Sequence, residues 1–302
     1  MQNTKTMKIK MSTGEKIFSV INYIFLALVA VACLYPMLYV LFASFSNSNQ
    51  LMRHTGILLW PQGLSAGAYE MVFKNPMIAR GYLNTMFVLV MSLILQITLT
   101  SLGAYFLSRR NVMFQKPIML LITFTMFFSG GMIPTYINIK NLGLLNTRWS
   151  VILPGLINVT NLLILRNYFI NSVPDELHEA AEIDGSSPMN TLFTIILPLS
   201  KSILVVITIY YFVAHWNAYF DAMMYITKRN KWPLQVFLRQ ILLLSQMGDM
   251  AETMGADDAN TALLYASLKY AIIIIAALPL IIVYPLVQKF FEKGIMLGSV
   301  KG

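Results

Sequence analysis

Long apolar runs separated by short polar stretches make up most of the chain. Six runs are long enough to cross a bilayer: residues 17–42, 82–107, 117–137, 149–170, 203–226 and 263–287. About 20 helical residues span a hydrocarbon core of about 30 Å. The runs do not alternate as barrel strands would, and lipid cannot satisfy an open backbone, so each is expected to be a helix. The pattern predicts an all-α, polytopic membrane protein with six transmembrane helices, and 1–302 reads as a single domain without internal repeats. Prolines 36, 134, 154, 279 and 285 fall inside these runs and favour bends. Gly130-Gly131, just before Pro134, is the best hinge candidate.

Between the fourth and fifth runs lies a polar insert, residues 174–200 (PDELHEAAEIDGSSPMNTLFTIILPLS). It carries Asp175, Glu176, Glu179, Glu182 and Asp184, five of the chain's thirteen acidic residues. Pro174 suits the start of a helix, and the early acids face the positive end of its dipole. Leu177, Ala180, Ala181 and Asp184 recur at i, i+3, i+4 and i+7, a single face of small residues. Gly185 reads as a C-terminal cap able to take positive φ, and Ser187-Pro188 as the cap and first residue of a second helix. That helix returns to apolar sequence and is expected to break at Pro198. His178 reads as solvated. The alternative is an ordinary acidic loop; the alanine face and the double capping favour a rigid docking element.

Composition agrees with membrane residence. Hydrophobic residues make up 57% of the 302 positions and charged residues only 12%, half the level of soluble domains. Mean hydropathy is +0.65. The net charge of +9 therefore reads as flanking anchors rather than a nucleic-acid surface. Four lysines precede the first run and Arg109, Arg110 and Lys116 follow the second, which places both termini in the cytoplasm. Lys228, Arg229, Lys231 and Arg239 then fall outside, against the usual bias. The first run is too long for a signal-peptide core and reads as a retained helix. Outer segments 51–59 and 234–247 have the spacing of short surface helices, and Trp60-Pro61 and Trp232-Pro233 mark interface turns. One cysteine, Cys33, excludes an intrachain disulfide, and three scattered histidines offer no metal site.

The fifth run carries polar and aromatic side chains at membrane depth: Tyr210, Tyr211, His215, Trp216, Asn217 and Asp221. Such groups face a bundle interior or a wet cavity. Aromatic faces with amides suit a sugar, so these residues, with Asn158 and Asn161 on the fourth run, are candidates for a substrate path. The alternative is an aromatic belt with interhelical hydrogen bonds.

Glu179-Ala180-Ala181, Asp184-Gly185 and Ile196-Leu197-Pro198-Leu199 resemble, at matching offsets, the EAA loop of ABC transporter permeases. The likeness covers most of the chain and is to the carbohydrate-importer (maltose-type) family. Phe128-Ser129-Gly130-Gly131, the segment 141–147 (NLGLLNT) and the tail 293–302 are similar to the subgroup importing complex oligosaccharides, pectin-derived ones included. Ser186 departs from the alanine many members carry and is expected to be of no consequence. The resemblance implies that Glu179, Ala180, Ala181, Asp184, Gly185 and Pro198 couple the chain to a cytoplasmic ATPase. It implies a second homologous permease, two ATP-binding subunits and an extracellular solute-binding protein as partners. ATP and magnesium are expected on the ATPase: this chain has no G-x-x-x-x-G-K-[ST] and is not itself an enzyme. The tail 291–302 is expected to reach the ATPase dimer. Two other function classes compete: a proton-driven secondary transporter, which needs intramembrane carboxylates, and a multi-span membrane enzyme, which needs converging catalytic groups.

Overall fold

The computed structural model describes residues 12–109, 112–253, 268–285 and 288. Their regular structure is helical, and among the described residues the only β pairing is the single bridge between Ser46 and Leu64. Packing gathers them into two units: described residues of 1–70 and 248–274, and those of 71–247 and 275–302.

The first unit is built on α1 (Thr13–Ser44), opened by the Ser12 amide donating to the Glu15 carboxylate at 2.7 Å. Its apolar surface is almost wholly uncovered within the chain. At its far end Ser44 and Tyr69 share a hydrogen bond of 2.7 Å, and the Tyr35 hydroxyl accepts from the amide of buried Leu58. A short helix α2 (Ser48–Arg53), capped by Asn47, sits where 51–59 was expected to be helical but ends earlier.

The second unit is organised by α4 (Pro76–Ser108), which follows α3 (Gly67–Lys74). Along α4 small and polar residues are buried: Gly81, Asn84, Thr85, Ser92, Gln96, Thr100 and Ser101. Small residues let membrane helices approach closely and polar ones bond across the interface. A Cβ at Gly103 would stand 2.8 Å from the Leu162 Cδ1 of the packed neighbour. Gly103→Val should therefore crowd the buried Leu162 side chain and cost about 1–3 kcal/mol, read as a lowered melting temperature in detergent.

Helix α5 (Gln115–Phe127) turns by 114° into α6 (Met132–Asn141). The bend falls at the expected hinge: Gly131 has φ +85°, a region open to glycine. Helix α7 (Trp149–Ile152) and a 3₁₀ turn to Gly155 meet α8 (Val159–Ser172) at 48°. Then come α9 (Asp175–Ile183), α10 (Pro188–Thr191), a π turn (Leu192–Ile196) and α11 (Leu197–Leu199). The segment Pro188–Leu199 meets α12 (Lys201–Asn217) at 87°. Helix α13 (Phe220–Tyr225), a turn at 229–231, α14 (Leu234–Thr253) and α15 (Leu268–Pro285) complete the described chain.

Among the described residues three helices, α1, α4 and α15, are unbroken and apolar enough to cross a bilayer, and the third, fourth and fifth expected runs fall on bent helix pairs. The fifth differs most. It stops at Asn217, whose side chain donates back to the Val213 carbonyl, while Ala218 turns extended. The break before it falls at Ser200, not at Pro198: the Ser200 amide reaches both the Ile196 and Leu197 carbonyls. Pro198 has no amide hydrogen, and the π turn that precedes it absorbs the mismatch.

Candidate functional site: the polar insert and the break between α7 and α8

The insert begins with a well-terminated helix. Gly185 at φ +74° donates to the Glu182 carbonyl at 3.0 Å, and the Ser186 amide to Ala181 at 2.8 Å. These two bonds form the Schellman closure that satisfies the last carbonyls of α9. The Ser187 side chain caps α10 by accepting from the Asn190 amide, with Pro188 as its first residue. Ser186 is not idle. Its Oγ accepts from Asn190 Nδ2 at 2.9 Å and from Thr191 Oγ1 at 3.1 Å, tying the turn to the next helix. An alanine there would lose both bonds.

The return is anchored in the core. Leu192 and Ile196 are fully buried with Ala104, Leu107, Leu165 and Ile207. Arg166 of α8 donates to the Leu107 carbonyl at 2.8 Å and closes the end of α4 beside them. The insert is therefore held by α4, α8 and α12 together.

The face Leu177, Ala180, Ala181 and Asp184, expected to be offered for docking, is divided between the protein and the exterior. Leu177, His178 and Ala181 turn toward the protein, and Ala181 is 5% exposed. Ala180 is exposed, so the two alanines do not share a docking surface. The exposed stripe is Glu176, Glu179, Ala180 and Ile183, at i, i+3, i+4 and i+7. Ile183 is 85% exposed, an apolar side chain at the tip of an acidic helix. Asp184 and Pro198 are exposed as well.

His178 is buried, not solvated: it is 8% exposed, its ring lies 5.7 Å from that of Tyr105, and its Nδ1 has no hydrogen-bond partner among the described residues. It sits on the wall of a cavity of about 560 Å³ between α9–α10 and the end of α4, with Arg109 on the same wall. Burial lowers its pKa from the usual value, Arg109 lowers it further, and Asp175 opposes them. Because the folded value lies below the unfolded one, docking of α9 is at full strength above about pH 6.5 and weakens as pH falls through His178's lowered value. Amide protection factors in α9, which correct for the slower intrinsic exchange at low pH, should fall on acidification from about pH 7.5 to 5.5, and His178→Phe should remove that dependence.

Above the insert, several of the substrate-path candidates meet at the break between α7 and α8. Tyr211 shares a 2.8 Å hydrogen bond with Thr100 and accepts from the Asn158 amide at 3.2 Å. His215 Nε2 lies 3.0 Å from Gln96 Oε1, and Gln96 Nε2 donates to the Gly155 carbonyl at 2.7 Å. The broken helix leaves backbone groups that must be satisfied in lipid, and these side chains satisfy them. Asn158 caps α8 by accepting from the Asn161 amide. Trp216 is fully buried and donates to the Ala276 carbonyl at 2.9 Å. Tyr211, Trp216 and Asn161 are thus enclosed within the chain, whereas Tyr210, Asn217, Asp221 and Asn158 remain exposed. Gln96, which no motif marked, is the residue that joins the network.

The family described as binding-protein-dependent transport system inner membrane component matches residues 10–297, nearly the whole chain. The chain belongs to that family. This permease is 42% identical over 290 residues to the polygalacturonan/rhamnogalacturonan transport system permease protein YtcP of Bacillus subtilis, covering 95% of this chain and 99% of that one. It is 40% identical over 302 residues to protein LplC of the same organism, covering 100% of this chain and 98% of the relative. A solved chain of a bacterial ABC transporter involved in the import of the acidic polysaccharide alginate superposes with a TM-score of 0.84 at 30% identity, covering 94% of this permease and all of that chain. The permease is thus a membrane subunit of an ABC importer, with the type I fold, and the two competing function classes are set aside.

Of the segments that carried the resemblance, 141–147 has a clear structural role. Asn146, at φ +60°, accepts from the Thr227 amide and hydroxyl and offers its own carbonyl to Lys231 Nζ at 2.7 Å. It locks the 138–148 loop to the one after α13. The tail 291–302, Arg110 and the ends of the sixth run lie outside the described residues.

Proposed function

We propose that the permease forms half of the translocation path for acidic, pectin-derived oligosaccharides and takes its energy through α9 from a cytoplasmic ATPase. Six spans with both termini in the cytoplasm place the insert on the ATPase side. Its partners are a second homologous permease, two ATP-binding subunits, which hold ATP and magnesium, and an extracellular solute-binding protein. The observation that carries the coupling role is the exposed stripe Glu176, Glu179, Ala180 and Ile183 on a helix closed at one end by Gly185 and rooted in the core through Leu192 and Ile196. An exposed apolar side chain on a rigidly held helix is suited to a cleft on another chain. The substrate class is supported by the relatives, one named for polygalacturonan and rhamnogalacturonan, one for alginate. Tyr210, Asn217, Asp221 and Asn158 are the candidates left free to line the path, with Tyr211, His215, Trp216 and Asn161 behind them as supports.

The test is uptake into vesicles holding the full importer. A galacturonate oligosaccharide should accumulate only with ATP inside the ATPase compartment and with the binding protein present. Uptake driven by a proton gradient without ATP would overturn the reading.

A further inference from the structure

Two arginines that the sequence reading did not single out, Arg80 and Arg148, share a cavity. Arg80, Leu83, Asn84, Arg148 and Asn230 line a pocket of about 370 Å³. Asn84 is only 2% exposed and fully engaged. Its Nδ2 donates to the Asn230 and Trp232 carbonyls at 2.9 and 3.0 Å, and its Oδ1 accepts from Arg148 Nε and Nη2 at 3.0 and 2.7 Å. The Arg148 guanidinium also lies 5.1 Å over the ring of Phe87. It is therefore held in a fixed orientation by a neutral amide and an aromatic face. Neither cancels its charge, as an aspartate at position 84 would. Only two of its five N–H groups are used by Asn84. Arg80 stands one turn earlier on α4 and is exposed. Among the described residues no carboxylate pairs with either arginine.

Two un-neutralised guanidinium groups, one of them pre-oriented, with amides between them, complement a planar anion that accepts paired hydrogen bonds. The volume is at the small end of ligand pockets, enough for a sugar ring and not for a protein element. We infer that this cavity is a carboxylate subsite, at the outer mouth of the permease, that takes the uronate group of an acidic oligosaccharide. The inference rests on the importer reading and its orientation, and names the contact by which that reading would select charge. Lys228, Arg229 and Lys231 in the adjoining loop add positive potential that draws such a substrate toward the mouth.

The experiment uses the purified complete importer without its binding protein. Equilibrium dialysis measures binding of a galacturonate trisaccharide and of its methyl ester, which keeps the size and removes the charge. The free acid should bind at least about tenfold more tightly than the ester, with the difference shrinking at high salt. Arg80→Gln should weaken the acid about tenfold and leave the ester unchanged, and Arg80→Lys should recover part of the loss. Arg80 is exposed, so its variants should fold, and their melting temperatures check this. Equal affinity for acid and ester, or an acid affinity unchanged in Arg80→Gln, overturns the subsite. So does a variant that binds trisaccharide normally but loses ATPase stimulation by substrate-free binding protein, since the arginines would then serve docking. In each of those cases ATP-driven uptake by the unaltered importer would still stand, so failure of the subsite is distinguishable from failure of the proposed function.

Discussion

Gly185→Asp should abolish ATP-driven uptake while leaving the permease in the membrane and assembled. Gly185 sits at φ +74° with no heavy atom within 4 Å of an added Cβ, so the obstacle is backbone strain, not crowding. A side chain in that region costs about 1–2 kcal/mol. The aspartate adds a negative charge at the negative end of α9. Both effects fall on the Schellman closure, so the turn that fixes α9 against α10 opens. Transport should drop more than tenfold, and ATP hydrolysis should persist without responding to loaded binding protein. The readout is the ratio of oligosaccharide moved to ATP hydrolysed in proteoliposomes. A normal ratio would sink the claim that this turn transmits movement.

Ile183→Glu should have an effect of similar size by a different route. Ile183 is 85% exposed, so the change costs the isolated permease almost nothing. Burying an isoleucine on docking contributes about 1.5–3 kcal/mol, and a glutamate would instead have to be desolvated. The affinity of the ATP-binding subunits should fall about 100-fold, while the permease keeps its melting temperature. Glu179→Lys, on the same stripe, should weaken coupling by reversing a charge on the docking face. Ala181→Ser, on the buried face, should act on stability and not on affinity. If Ile183→Glu binds the ATPase normally, the exposed stripe is not the docking surface.

The apolar runs, the caps of the insert and the Gly131 hinge were legible in the sequence because each is a local matter. Helix length in lipid, a glycine at positive φ and a serine before a proline depend on a few neighbouring residues. The inward face of α9 was not legible. Counting i, i+3, i+4 and i+7 from Leu177 gives one plausible face and counting from Glu176 gives another, and the pattern is silent on which one meets the protein. The position of α4 decides it, by placing Tyr105 against the His178 ring. The same applies to the fifth run. Its polar residues promised a substrate path, but Tyr211 and His215 reach toward the break between α7 and α8, which no feature of the fifth run announces.

By itself the sequence determined that this is a helical membrane protein with a doubly capped insert, since hydrophobic length and cap chemistry act within a turn or two of chain. Only the tertiary structure decided which side of that insert is free. Burial is a property of what lies across the interface, and the partners of His178, Gln96 and Arg148 are dozens of residues away. That is why the alanine pair is divided between two faces, why a histidine taken for a surface residue is packed inside, and why two arginines 68 positions apart share a pocket.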